Sequence, residues 1–150
     1  MTQDTLANRM MTWTRGNSNA AMLCLDLWHV VQTWDDLYDN DEVTKDDINE
    51  TFRRLIYNIP TNPFYAEHAH ELAPLIHNMM IQWQIANTFE VDQKSGDLNK
   101  AWMLRASIYQ IWVYIAGLAV DPQWASVVGP DVWRTYGETL EKFIEEMTNA

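Results

Sequence analysis

The residues with the strongest claim to chemistry lie in one short stretch, Thr33-Trp34-Asp35-Asp36-Leu37-Tyr38-Asp39-Asn40-Asp41. On an α-helix Asp35 and Asp39 are one turn apart and stack above one another, with Asp36 about 100° round. Carboxylates gathered in this way repel, and a cation relieves the repulsion. Mg²⁺ suits such a group, because it accepts one or two carboxylates, keeps waters and leaves positions for phosphate oxygens. The other reading is an ordinary solvated face, since Gln32, Asp35, Asp36 and Asp39 lie opposite a stripe of Leu23, Leu27, Val30 and Trp34. Their place at a helix C-terminus, where the macrodipole disfavours negative charge, favours a function.

Other groupings are less specific. Asp26-Leu27-Trp28-His29 and Glu67-His68-Ala69-His70 have the carboxylate-x-x-His form used in di-iron bundles. Such a site needs carboxylates from two further helices, and the segment 97–120 has none in its middle. His70 and His77 share a helix face but stand about 10 Å apart along its axis, too far to ligate one ion. Asp36-x-x-Asp39 and Asp47-x-x-Glu50 loosely imitate the acidic pairs of all-α nucleoside-triphosphate pyrophosphohydrolases. No glycine-rich phosphate loop, Cys-x-x-Cys pair or serine-nucleophile elbow is present.

The elements that must position these residues are read from apolar spacing. Leu6, Met10 and Trp13 predict a short first helix that stops at Gly16. A second helix is expected over 19–40, its first half apolar nearly all round and therefore central. Thr44 with Asp47 forms a capping-box pattern for a third helix, whose Ile48, Phe52, Leu55 and Ile59 make the expected buried stripe and which Pro60 ends. Asn62-Pro63 opens a segment that Pro74 should kink or divide, with Ile76, Met79, Met80, Trp83 and Phe89 turned inward. Asp97 is placed to cap a helix reaching about Val120. Asp121-Pro122 starts a short turn of helix closed by Gly129-Pro130, and a last helix follows from about Asp131 through Val132, Tyr136, Leu140, Phe143 and Met147. No period-two alternation competes, so the expected class is all-α, one domain of six or seven helices in a bundle.

The string Asp35-Asp36-Leu37-Tyr38-Asp39 resembles the D-D-x-x-D motif of class I terpenoid synthases and isoprenyl diphosphate synthases. The resemblance implies an all-helical fold in which the motif lines a cavity and holds Mg²⁺ ions that bind a prenyl diphosphate. Asp35, Asp36 and Asp39 would then be the metal ligands, and Trp28 and Gln32, on the same side of the helix, would face the cavity. Among basic residues available to a diphosphate, Arg53, Arg54, Lys100 and Arg105, the last is the most notable. It interrupts an apolar helix and must either meet an anion or reach the surface.

Composition narrows the classes. A chain of 150 residues with 47% hydrophobic residues and eight tryptophans has ample material for a core. Trp102, Trp112, Trp124 and Trp133 fit core packing best, with a ligand pocket or a homo-oligomer interface as alternatives. Ten basic against twenty-one acidic residues, net charge −11, would repel DNA or RNA. The lone Cys24, set among Met22, Leu23 and Leu25, reads as a small buried hydrophobe in a reducing, cytoplasmic setting. Met1-Thr2-Gln3-Asp4 lacks the pattern of a signal peptide, and 101–120 is interrupted by Arg105, Ser107 and Gln110, so no membrane partner is expected. The function expected is that of a small, non-enzymatic helical protein acting by ligand or partner binding, with Mg²⁺-dependent binding of a diphosphate ester as the alternative.

Overall fold

The structure, a computed structural model, describes residues 3–149. Met1 and Thr2, which entered the signal-peptide reading, lie outside the described residues. Every element among those described is helical: α1 (Gln3–Trp13), α2 (Ser18–Tyr38), α3 (Lys45–Arg53), a π-helical turn (Arg54–Asn58), α4 (Ile59–Thr61), α5 (Pro63–Asp92), α6 (Asp97–Arg105), α7 (Ser107–Ala119), α8 (Pro122–Arg134) and α9 (Leu140–Thr148). No helix is long and apolar enough to cross a membrane among the described residues.

Helix α2 is central, as its all-round apolar first half requires. It packs against α1, α3, α5 and α7, and Ala20, Leu23, Cys24 and Leu27 are buried along it. The main core joins these to Met10, Trp13, Leu72, Trp112, Ile115 and Val132, with the Trp13 and Trp112 rings 5.8 Å apart. A smaller cluster around Ala86, Ala101 and Phe143 anchors α9. Most of the tryptophans are thus core or half-buried, and Cys24 is enclosed, its thiol pKa pushed up by burial.

Several starts and stops follow local chemistry. Gly16 takes φ +78°, a conformation that costs glycine little, and the Asn17 side chain then caps α2 by accepting from the Ala20 N–H at 3.0 Å. Thr44 and Asp47 form the reciprocal capping box, and Asn62 and Asp121 cap α5 and α8, each followed by proline at the first helical position.

Other boundaries differ from expectation. Pro60 does not end the third helix: the π-turn widens the helix just before it, and the chain stays helical to Thr61. That turn has a visible cause. Asp26, fully buried on α2, needs partners, and the turn brings Arg54 Nη1 to 2.5 Å and Asn58 Nδ2 to 3.5 Å from its Oδ1. This ion pair gives Asp26 of the Asp26-x-x-His29 grouping a structural partner, and His29 takes no part in it. Pro74 lies inside α5, and the kink of that helix falls at His68 (φ −113°, ψ 16°), six residues before the proline. Gly96, not Asp97, caps α6, and the Asp97 carboxylate accepts from the Lys94 N–H at 2.9 Å.

The expected helix over 97–120 is broken at Ala106 (φ −88°, ψ 15°). Here the Ser107 hydroxyl bonds Gln82 Oε1 at 2.6 Å and also reaches the Leu104 carbonyl, competing with helical continuation. Gly129-Pro130 does not close α8; the helix runs on to Arg134, holding Val128, Gly129 and Val132 in the core. The last helix is correspondingly shorter and begins after Thr139, whose side chain accepts from the Lys142 N–H at 3.2 Å. Asp131 instead accepts from Trp13 Nε1 at 2.8 Å and pairs with Arg9.

The largest departure concerns the stripe of α3. Only Ile59 is buried, while Ile48, Phe52 and Leu55 are exposed.

Candidate ligand cavity

One open cavity of about 270 Å³ collects most of the residues singled out by the acidic motif. The second half of α2 supplies Trp28, Gln32 and Asp35, and its C-cap supplies Asp39. Helix α5 contributes Trp83 and Glu90, α6 contributes Arg105, and α7 contributes Tyr109. The connection after α8 adds Tyr136 and Glu138, and α9 adds Glu146.

Asp35 and Asp39 share this cavity because they are one helical turn apart. Asp36, about 100° round, is not among its lining residues. Among the described residues, no three His, Cys, Asp or Glu side chains are grouped to hold a metal ion. What the helix presents to the cavity is a pair of carboxylates. That donor set is within the one or two carboxylates that Mg²⁺ takes alongside waters and phosphate.

The electrostatics are those of crowded acids. The Asp35 carboxyl is pushed up to about 6, first by partial burial and then by the charge of Asp39 and a hydrogen bond between the two side chains, with Arg105 acting in opposition. Across the cavity, Glu138 is raised by burial and by its hydrogen bond to Glu146 and the charge there, and it also feels Asp35. Two like-charged pairs therefore face one space. Burial raises the phenols of Tyr109 and Tyr136, keeping both protonated, and the Tyr136 hydroxyl donates to the Trp102 carbonyl at 2.9 Å.

Among the described residues, Arg105 is the only cation lining the cavity. Its Nη2 binds Glu90 and Asn87, and its guanidinium lies 4.7 Å from the centre of the Trp83 ring. Trp83 in turn stacks on Trp34 at 4.8 Å. Arg105, the last residue of α6, has thus found an anion, an aromatic face and a cavity together. Its Nη1 is buried with no hydrogen-bond partner among the described residues. Arg53 and Arg54 are engaged elsewhere, with Glu50 and Asp26, and Lys100 lies over Phe89, outside the lining.

Sequence reasoning missed Glu90, Tyr109, Tyr136, Glu138 and Glu146. Glu138 stands just before Thr139, the N-cap of α9, and Glu146 lies on that helix, so the signal for them was Thr139 as a new N-cap. A helix run continuously from Asp131 hid it. The histidine pair has no part here, since His70 and His77 are exposed on α5. Compared with known proteins, the chain matches no protein-family model, no curated protein and no solved structure.

Proposed function

We propose that the protein is a binding protein whose ligand occupies the acidic cavity, with Mg²⁺ held between the ligand's phosphate or diphosphate group and the Asp35–Asp39 pair. The carrying observation is that Asp35, Asp39 and Arg105 line one cavity together with a second acidic pair, Glu138 and Glu146. Carboxylates forced together gain when a divalent cation joins them, and the cation then attracts phosphate oxygens. The unpartnered Nη1 of Arg105 supports the same reading, because a buried guanidinium N–H gains from an anionic acceptor.

The resemblance to terpenoid synthases supports the same reading. Of the five residues it implicates, Trp28, Gln32, Asp35 and Asp39 line one space together with Arg105, and Asp36 does not line it. No chemical step is assigned to the cavity. A protein that resides in the cytoplasm, where Mg²⁺ and phosphate esters are abundant, fits this reading.

Thermal unfolding tests it, since a ligand bound only by the folded state raises Tm. Mg²⁺ with inorganic diphosphate is expected to raise Tm by several degrees, and by less when either is omitted. The Asp35→Asn/Asp39→Asn variant should lose the response. An equal rise in wild type and variant would place any binding outside the cavity.

A further inference from the structure

Helix α3 and the π-turn are held to the molecule without a single buried side chain. Within 45–58 the residues that are even half-buried are Glu50, Thr51, Arg54 and Asn58, all polar, while Ile48, Phe52, Leu55, Ile56 and Tyr57 are exposed. The segment is therefore seated on α2 through polar contacts. The Thr51 hydroxyl donates to Thr33 Oγ1 at 2.7 Å, and Arg54 and Asn58 both donate to Asp26 Oδ1. Its ends suit movement as a unit. Before it, Asn40 takes φ +59° in an exposed connection, and after it Ile59 is anchored in the core. Segments with few buried apolar contacts open at lower free energy than the whole fold.

The Asp26 contact is the deepest of these. The Asp26 side chain is fully buried and that of Arg54 is 12% exposed, so displacing one partner leaves the other uncompensated. Three atoms around this pair are still buried with no hydrogen-bond partner among the described residues: Asp26 Oδ2, Arg54 Nε and His29 Nε2. His29 follows Asp26 by three residues on α2, which places the two side chains side by side on one face. The charged groups that bear on His29 are Arg54 from the π-turn, Asp26 from its own helix and Glu50 from α3. Burial first, and then Arg54, hold its imidazole below the usual 6.5.

We propose that residues 45–58 form a flap latched to α2 through Asp26, and that His29 releases the latch when it takes up a proton from solvent. The proton turns the bare Nε2 into a donor, and Asp26 Oδ2 is the unpaired acceptor beside it. The imidazolium then competes with Arg54 for one carboxylate and repels its guanidinium. With Arg54 displaced, little remains to hold a segment that buries no side chain. Opening bares Val30 and Trp34 of α2, which Phe52 and Leu55 face across an apolar depression of about 500 Å³. The closed form holds fewer protons on His29 than the open one, so it is fully favoured above 6.5 and weakens as pH falls below that value. The latch makes no use of the acidic cavity, so either proposal can fail without the other.

Hydrogen exchange of the full chain tests the latch, read by mass spectrometry at about pH 7.5 and about pH 5 and corrected for the intrinsic pH dependence of exchange. Protection of 45–58 is expected to fall severalfold at the lower pH while that of α7 changes little. His29→Gln, which cannot take the proton, should keep 45–58 protected at both. Asp26→Asn, which deprives Arg54 of its anion, should leave 45–58 poorly protected at both with α7 still protected; the His29→Gln arm decides the matter if that variant fails to fold. An equal fall in α7, no fall in the wild type, or the same fall in His29→Gln would each overturn the proposal. So would a folded Asp26→Asn that keeps the wild-type pattern.

Discussion

Arg105 and Arg53 carry the same charge in opposite surroundings. The Arg105 side chain is 14% exposed and pairs with a Glu90 that is 16% exposed, while Arg53 is 60% exposed beside Glu50. Removing one member of a largely buried pair leaves the other without compensation, whereas exposed pairs contribute little. Arg105→Ala is therefore expected to lower unfolding free energy in urea by about 2–3 kcal/mol, and Arg53→Ala by less than about 0.5 kcal/mol. Similar small losses would show that the Arg105 contacts contribute nothing to the folded state.

Asp35 provides a pH signature. Its folded pKa of about 6 lies above the usual 3.8, so between these values the folded state holds more protons than the unfolded chain. Its contribution therefore favours the fold at low pH and is lost as pH rises through about 6. Asp35→Asn should remove this dependence and raise stability at pH 7 by about 1 kcal/mol, allowing for solvent screening at a half-exposed group. A variant that is less stable at pH 7 and keeps the wild-type slope between pH 4 and 6 would contradict the crowding of acids at the cavity. The same proton competes with Mg²⁺, so metal binding should strengthen over the same interval.

Elements are governed by what their ends and neighbours allow. The cap residues Thr44, Asn62 and Asp121 were legible because each has a side-chain oxygen placed to accept from the following turn. The stops were harder. Pro60, Pro74 and Pro130 all lie within helical stretches, since tertiary packing outweighs the loss of one hydrogen bond where the flanking residues are held in the core. The break at Ala106 had no proline or glycine to announce it; it depends on the Ser107 hydroxyl and on Gln82, a partner twenty-five residues away. Helix α8 yields a prediction. Gly129 sits inside it directly before Pro130; beyond its chain neighbours a new methyl would meet only Val113, with Cγ1 at 3.9 Å, but a Cβ on a helical residue before proline crowds the proline ring. Gly129→Ala is therefore expected to destabilise the protein by about 1 kcal/mol in urea denaturation. A gain in stability would show that α8 relieves this crowding without cost.

At the scale of the whole molecule, function depends on how helices distant in sequence converge. The α2 half of the cavity, Trp28, Gln32, Asp35 and Asp39, could be read from one helix, because residues three and four apart share a face by geometry alone. Its far wall, Glu90, Tyr109, Tyr136, Glu138 and Glu146, comes from α5, α7, the post-α8 connection and α9. Where those elements meet depends on packing that no local pattern encodes. Composition was informative for the same reason that local spacing was: a net charge of −11 describes the surface whatever the topology. The separation of Asp36 from Asp35 had been present in the 100° turn per residue, yet it acquired meaning only once the cavity took in Asp35 and Asp39 and left Asp36 out.

The central claim is that Asp35 and Asp39 hold a cation jointly with a phosphate-bearing ligand, and calorimetric titration of Mg²⁺ with and without inorganic diphosphate tests it most directly. Joint coordination predicts that diphosphate strengthens Mg²⁺ binding at least tenfold, and that diphosphate alone binds weakly to a cavity so rich in carboxylates. Asp35→Asn/Asp39→Asn should abolish the coupling while leaving the fold at least as stable as the wild type. Arg105→Lys, which keeps the charge but loses the planar fork, should reduce the coupling without abolishing it. Saturable Mg²⁺ binding that ignores diphosphate, or no Mg²⁺ binding by the wild type at all, would contradict the account.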